Sequence, residues 1–153
     1  MSDEQCFNAI RRFVDHLPRT EDTALIILKG HLLIEALLRE VIALNVEKPK
    51  ALKEAKLGFF QCVYVAEAIY AKKMPNWLWV ALTKLNSIRN LLAHNIEPQG
   101  VDDKIADFVS YVEGRRDKSP RLRSARKGHP LKLALGDVHS ELLLAHSYEN
   151  EKA

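Results

Sequence analysis

Apolar residues recur through most of the chain at three- and four-residue intervals, with polar residues between them. This spacing is typical of amphipathic helices, because it places the apolar side chains on one face. No segment shows a convincing strand pattern, so we expect an all-α fold, an antiparallel bundle of about five or six helices. The predicted helices cover residues 3–17, 21–44, 57–71, 77–94, 102–113 and 131–150.

The second predicted helix is apolar on almost every side between Leu25 and Ile42. Such a helix lies at the centre of a bundle, or is shared between the core and a dimer interface. We expect Thr20 to cap its N-terminus, with Glu21 and Asp22 in a first turn that favours anions.

Three polar residues interrupt this apolar helix at four-residue intervals. His31, Glu35 and Arg39 therefore share one face of the helix. One interpretation is a surface row of weak ion pairs, each contributing about 0.3–0.5 kcal/mol. The other is that His31 or Glu35 approaches a functional site formed with another helix.

The predicted helix over residues 77–94 separates apolar from polar side chains. Pro75 suits its first turn, and Pro98 follows its end. Trp77 should be buried, whereas Trp79 lies near the polar side, where it could flank a site or fill a dimer contact. The apolar side consists of Trp77, Leu78, Ala81, Leu85, Ile88 and Leu92, and the polar side of Thr83, Asn86, Ser87, Arg89, Asn90 and His94.

Arg89 and His94 lie at the two edges of this polar side, about 140° apart around the helix. Asn86 and Asn90 lie between them. A guanidinium that stays charged, an imidazole that titrates near neutral pH and an amide together suit a bound anion or phosphodiester. The alternative is a solvated helix face whose cations only complement the C-terminal end of the helix dipole.

The run Arg89-Asn90-Leu91-Leu92-Ala93-His94 resembles the R-N-x-x-x-H signature of the HEPN superfamily, a group of small helical domains. The preceding Leu85-Asn86-Ser87-Ile88 resembles the HEPN-like mannitol operon repressor group, and the similarity covers roughly residues 20–113. Many HEPN proteins are homodimers whose Arg–His motifs face each other across a two-fold axis. Active members are metal-independent endoribonucleases, often in toxin–antitoxin or antiviral systems, and others are inactive binding or regulatory domains.

This resemblance leads to a first hypothesis, a metal-independent endoribonuclease with a defence or toxin-like role. His94 would then be the general acid and base, Arg89 would hold the phosphate, and Asn90 would orient either the phosphate or His94. A homodimer would bring two copies of each group into one cleft. The second-tier candidates for the same site are Asn86, Glu35 and His31.

The second hypothesis is a non-catalytic dimeric regulator or adaptor like the mannitol repressor group. Arg89 and His94 would then hold the dimer interface by hydrogen bonds. HEPN toxins that are paired with a nucleotidyltransferase typically carry a tyrosine two residues after the motif histidine. Ile96 occupies that place here, which argues against that toxin subgroup.

Basic residues are concentrated in one segment near the C-terminus. Residues 115–127 contain seven basic residues and one acid, a formal charge of +6, whereas the whole chain carries +3 and the remainder therefore −3. Such a segment builds no core, and is either a solvated linker or an arm that contacts nucleic-acid phosphates. The candidate contacts are Arg115, Arg116, Arg121, Arg123, Arg126 and Lys127.

This change of composition predicts three parts of the chain. A helical bundle would cover residues 1–114 and a basic linker residues 115–130. A C-terminal helix within residues 131–153 would dock on the bundle or on a partner chain. The expected partners are a second copy of the chain, RNA and a further protein.

Other features narrow the class of protein. Cys62 and the aromatic residues of the third predicted helix are expected in the core, the thiol reduced as in a cytoplasmic protein. No glycine-rich phosphate loop, no metal-ligand spacing and no apolar run of ~18 residues is present. We therefore expect no cofactor, no metal and no membrane contact. The acidic residues near Met1 differ from a secretory signal, which favours the cytoplasm.

Overall fold

The structure, a computed structural model, describes residues 3–115 and 128–150. These residues form helices and connecting turns without any strand, which confirms the expected all-α bundle. The described residues form seven helices, namely α1 (Asp3–His16), α2 (Thr23–Ala43), α3 (Pro49–Glu54), α4 (Phe59–Tyr70), α5 (Asn76–His94), α6 (Val101–Arg115) and α7 (Pro130–Asn150).

Helix α2 lies at the centre and packs against α4, α5 and α7. The C-terminal helix α7 also packs along α1 and α6, so it forms part of the same core. Gly30 lets α7 approach α2 closely, because a Cβ atom there would lie 2.7 Å from a methyl of Leu135. Fully buried side chains such as Ile34, Leu38 and Leu82 fill the space between these helices.

Helix α5 runs antiparallel to α2, which decides where the motif lies. The end of α4 is fixed at the C-terminal end of α2, because the Tyr70 hydroxyl donates to the Val41 carbonyl at 3.4 Å. Helix α5 begins a few residues later and reaches the middle of α2 at Asn86 and Arg89. Both residues lie close enough to His31 to change its pKa. The last turn of α5 therefore lies beside the N-terminal half of α2.

Several predicted helix boundaries were wrong. Asp22, not Thr20, caps α2, since its carboxylate accepts from the Leu25 N–H at 3.1 Å. Pro75 lies at the N-cap of α5 rather than inside its first turn. The short helix α3 lies between the predicted helices over 21–44 and 57–71, where none was predicted, and begins at Pro49 because a first-turn proline lacks only an N–H that would stay unpaired.

Two glycines lie inside helices, although glycine often marks a helix end. Helix α6 continues through Gly114 to Arg115, beyond the predicted end at residue 113, and α7 passes Gly136 without interruption. At Gly136 the reason is packing, because a Cβ atom there would lie 2.9 Å from a methyl of Ile10 on α1. The glycine thus allows α1 and α7 to approach, at a modest cost in helix propensity.

The burial of several aromatic residues also differs from expectation. Trp79 is buried and Trp77 only half-buried, the reverse of the prediction. Because α5 packs against α2, α4 and α6, its buried face is wider than a single contact would require. On α4, Phe59 is buried as expected, but Phe60 and Tyr64 are exposed and contact each other edge to face.

The contact between α1 and α7 should make stability depend on pH. His139 stacks on Phe13 with ring centroids 4.4 Å apart, and burial, aided by His16, lowers its pKa to about 4. In the unfolded chain the His139 imidazole gains its proton near pH 6.5, but in the folded chain it does so only near pH 4. Between these values acid therefore lowers the free energy of unfolding, by about 2 kcal/mol at pH 4.5 relative to pH 7.

Urea unfolding at pH 7 and pH 4.5 measures this effect in the wild type and in His139→Gln. The variant removes one titrating group and leaves the acidic residues in place. Its loss of stability between pH 7 and pH 4.5 should therefore be about 2 kcal/mol smaller than that of the wild type. Equal losses in both proteins would show that His139 does not titrate differently in the folded state.

Candidate functional site

The motif residues lie on the last two turns of α5. Arg89 is half-buried, and its Nη1 donates to the side-chain oxygen of Asn90 at 3.2 Å. Asn90 and His94 are exposed, and His94 is the last residue of the helix. The helix is fixed by its buried face and by Lys84, whose Nζ lies 2.6 Å from the Asp107 carboxylate on α6. The three motif side chains thus project from a rigid element.

Within one chain, Arg89 and His94 do not contact each other. Among the described residues Arg89 hydrogen-bonds only to Asn90, and His94 forms neither a hydrogen bond nor an ion pair. This separation agrees with their positions on opposite edges of the polar side of α5. One chain alone therefore presents an arginine and a histidine that do not form a pair.

His31 of α2 lies directly behind the motif. The residue is 2 % exposed, and its ring packs against the Phe59 ring in a tilted arrangement, with centroids 4.1 Å apart. Burial lowers the pKa of His31, and nearby Arg89 lowers it further, whereas Glu35 and Asn86 raise it. Asn86 is thus close to the imidazole, although Nε2 makes no full hydrogen bond with any described residue. The structure brings His31, Asn86 and Arg89 together.

Glu35 connects His31 to Arg39. One carboxylate oxygen accepts from Arg39 Nη2 at 2.7 Å, and the other lies 3.7 Å from His31 Nδ1. Arg39 also donates to the Leu57 carbonyl at 2.7 Å, which fixes its guanidinium against the turn before α4. Glu35 and Arg39 thus form an ion pair, as expected if His31, Glu35 and Arg39 were a surface row. His31, however, is buried against α5.

Sequence reasoning missed a row of exposed leucines on α2. Leu25, Leu28 and Leu32 are 45 %, 39 % and 60 % exposed, at helical spacings of three and four. Leu28 lies one turn before His31 on α2, and Leu32 directly follows it. The row therefore lies along the part of α2 that holds His31, whose pKa Arg89 affects. A helix that is apolar all round gives no sign of which apolar residues stay exposed.

The basic segment enters the described structure only at its first residue. Arg115 ends α6, and its guanidinium lies 3.8 Å from the centroid of the Tyr111 ring. This distance allows a cation–π contact that holds the side chain against α6. The remaining candidates lie outside the described residues, namely Arg116, Arg121, Arg123, Arg126 and Lys127.

Residues 3–115 and 128–150 contain neither a metal-binding cluster nor a membrane-spanning helix. No three His, Cys, Asp or Glu side chains there lie close enough to hold a metal ion. No helix in this part of the chain has the length and apolar character that crossing a bilayer requires. Cys62 is buried and forms no disulfide, and burial raises the pKa of its thiol.

Comparisons with protein-family models, curated proteins and solved structures found no match to this chain. The functional interpretation therefore depends on the geometry of α2 and α5 and on the resemblance of the α5 motif to the HEPN signature.

Proposed function

We propose that the protein is a HEPN-like, metal-independent endoribonuclease whose site is shared by two copies of the chain. The observation that carries this proposal is the surface formed by the end of α5 and the N-terminal half of α2. It combines an exposed His94 and an Arg89 fixed next to Asn90 on α5 with a row of exposed leucines on α2. We place its action in the cytoplasm, in a defence or toxin-like role.

The reaction is transesterification within the RNA chain. The 2′-oxygen attacks the neighbouring phosphorus, the bond to the 5′-oxygen breaks, and a 2′,3′-cyclic phosphate and a 5′-hydroxyl result. One imidazole accepts the 2′-OH proton and another protonates the leaving oxygen, so the His94 residues of two chains supply both steps. Arg89 stabilises the charge on the phosphorane oxygens, and Asn90 holds the Arg89 guanidinium in place.

His31, Glu35 and Asn86 act as positioning residues in this proposal. They lie behind Arg89 and contact it or each other, not the substrate. Burial lowers the pKa of His31, so the ring stays neutral beside the Arg89 guanidinium and does not repel it. Phosphates further along the RNA would bind the basic residues from Arg115 to Lys127.

The leucine row supports a homodimer. Exposed apolar side chains in a group mark interaction surfaces more often than single exposed ones do. Joining two copies along Leu25, Leu28 and Leu32 would bury these side chains and bring the two α5 ends together. Such a dimer would supply the second histidine and arginine that one chain lacks.

The experiment that tests this function is cleavage of an RNA oligonucleotide in EDTA, compared with the same sequence carrying 2′-deoxyribose throughout. We expect cleavage of the RNA only, with 2′,3′-cyclic phosphate ends, because the attacking group is the 2′-OH. Cleavage of both substrates would exclude this mechanism. No cleavage of several RNAs by folded, dimeric protein would exclude the endoribonuclease.

A second candidate function is a non-catalytic dimeric regulator or adaptor. The exposed Phe60 and Tyr64 on α4 favour it, because they add a further apolar surface for a protein partner. Arg89 and His94 would then bind across the dimer interface. In this case their replacement would weaken dimerisation and no variant would cleave RNA.

A further inference from the structure

A cavity of about 610 Å³ lies between the C-terminal half of α2, α3 and the start of α4. Its apolar lining includes Ile42, Leu52 and Leu57, together with Cys62. Cys62 is 2 % exposed and burial raises the pKa of its thiol, so the group is neutral at pH 7. The inner part of the cavity is therefore apolar, and its volume is that of a small-molecule site.

Cationic side chains line the same cavity. Lys53 and Lys56 are exposed, and neither forms an ion pair with another described residue. Arg39 is 41 % exposed there, but Glu35 already neutralises it. The only acidic lining residue is Glu40. The two lysines outnumber this single carboxylate, so the mouth has a net positive charge and attracts an anion.

The backbone at Lys56 is an independent indication. Its φ is +51°, the only positive value of a non-glycine residue in the described structure. Lys56 follows the C-cap of α3, a position where glycine is favoured because a side chain there is strained. Residues persist in such conformations where a function requires their side chain.

We propose that this cavity binds a small anionic amphiphile, a carboxylate on an unbranched apolar chain. The chain lies over Ile42, Leu52 and Leu57, and the carboxylate lies between Lys53 and Lys56. The protein's own residues 115–127 are unsuited to this place, because their charge of +6 has the same sign as the mouth. The ligand is thus a separate molecule, and its site does not depend on RNA cleavage.

Calorimetric titration with decanoate, decanol and decyltrimethylammonium, each below its aggregation concentration, tests the proposal. Decanoate should bind more tightly than the neutral and cationic ligands of equal chain length. Lys56→Gly should weaken the binding of decanoate by about three- to tenfold and leave the affinity for decanol unchanged. The same variant should raise the melting temperature, because glycine relieves the positive φ. A loss of affinity in a more stable protein cannot result from misfolding.

Ala43→Phe provides the complementary variant, since it fills the apolar part of the cavity. It should abolish binding of both decanoate and decanol. Three results would overturn the proposal: decanoate binding no more tightly than decanol, unchanged decanoate affinity in Lys56→Gly, or unchanged binding in a folded Ala43→Phe protein.

Discussion

Replacing His94 with alanine should lower the rate of RNA cleavage by about 10²–10⁴-fold, the contribution typical of a general acid or base. His94 is exposed and forms no hydrogen bond or ion pair with another described residue. The substitution therefore removes no packing, and the free energy of unfolding should change by less than about 0.5 kcal/mol. Single-turnover cleavage rates in EDTA, together with urea unfolding, measure both quantities.

His16→Ala is the matched control for His94→Ala. His16 is also an exposed histidine in the last turn of a helix, at the end of α1. Its Nδ1 lies 2.7 Å from the Arg12 carbonyl, a contact within its own helix. We expect this variant to cleave RNA at the wild-type rate. Equal rates in the two variants would remove His94 from the mechanism.

Leu32→Glu should convert the dimer into monomers. Leu32 is 60 % exposed in the single chain, so glutamate there should not disturb the fold. In the proposed dimer the same position would be covered, and a buried carboxylate would add its desolvation cost to the lost apolar contact. The dimer dissociation constant should rise by about 100-fold or more. Cleavage should fall in parallel if two chains share the site, as proposed.

Leu44→Glu separates the effect of position from that of charge. Leu44 is 45 % exposed but follows the opposite end of α2, away from the motif. Sedimentation velocity should find this variant dimeric at concentrations where Leu32→Glu is monomeric. A dimeric Leu32→Glu protein would show that the leucine row is not the interface.

Hydrophobic spacing was sufficient to predict the long helices and the all-α class. The apolar residues of α5 and α6 repeat with a period of about 3.6 residues, which indicates an amphipathic α-helix. Boundaries were less certain, because Thr20 and Asp22 are both good N-caps and only the backbone decides between them. Gly136 illustrates the same limit, since a glycine that allows close packing and one that ends a helix are identical in sequence.

The candidate site was only partly accessible to sequence reasoning. The spacing of Arg89 and His94 predicts their positions on α5, because it depends on one helix alone. Whether His31 approaches them depends on the register of α2 against α5, which no local pattern encodes. Similarly, Lys53 and Lys56 could not be assigned to a cavity, because its walls come from three helices.

The shared site is the central claim, and mixing two inactive variants tests it most directly. Arg89→Ala and His94→Ala should each be inactive as homodimers. After subunit exchange, mixed dimers seen by native mass spectrometry carry one intact arginine and one intact histidine on different chains. We expect the mixture to regain a small part of the wild-type cleavage rate in EDTA, because the one remaining His94 can accept the 2′-OH proton and then return it to the leaving oxygen. If mixed dimers form and cleavage stays at the level of the separate variants, the two chains do not share a site.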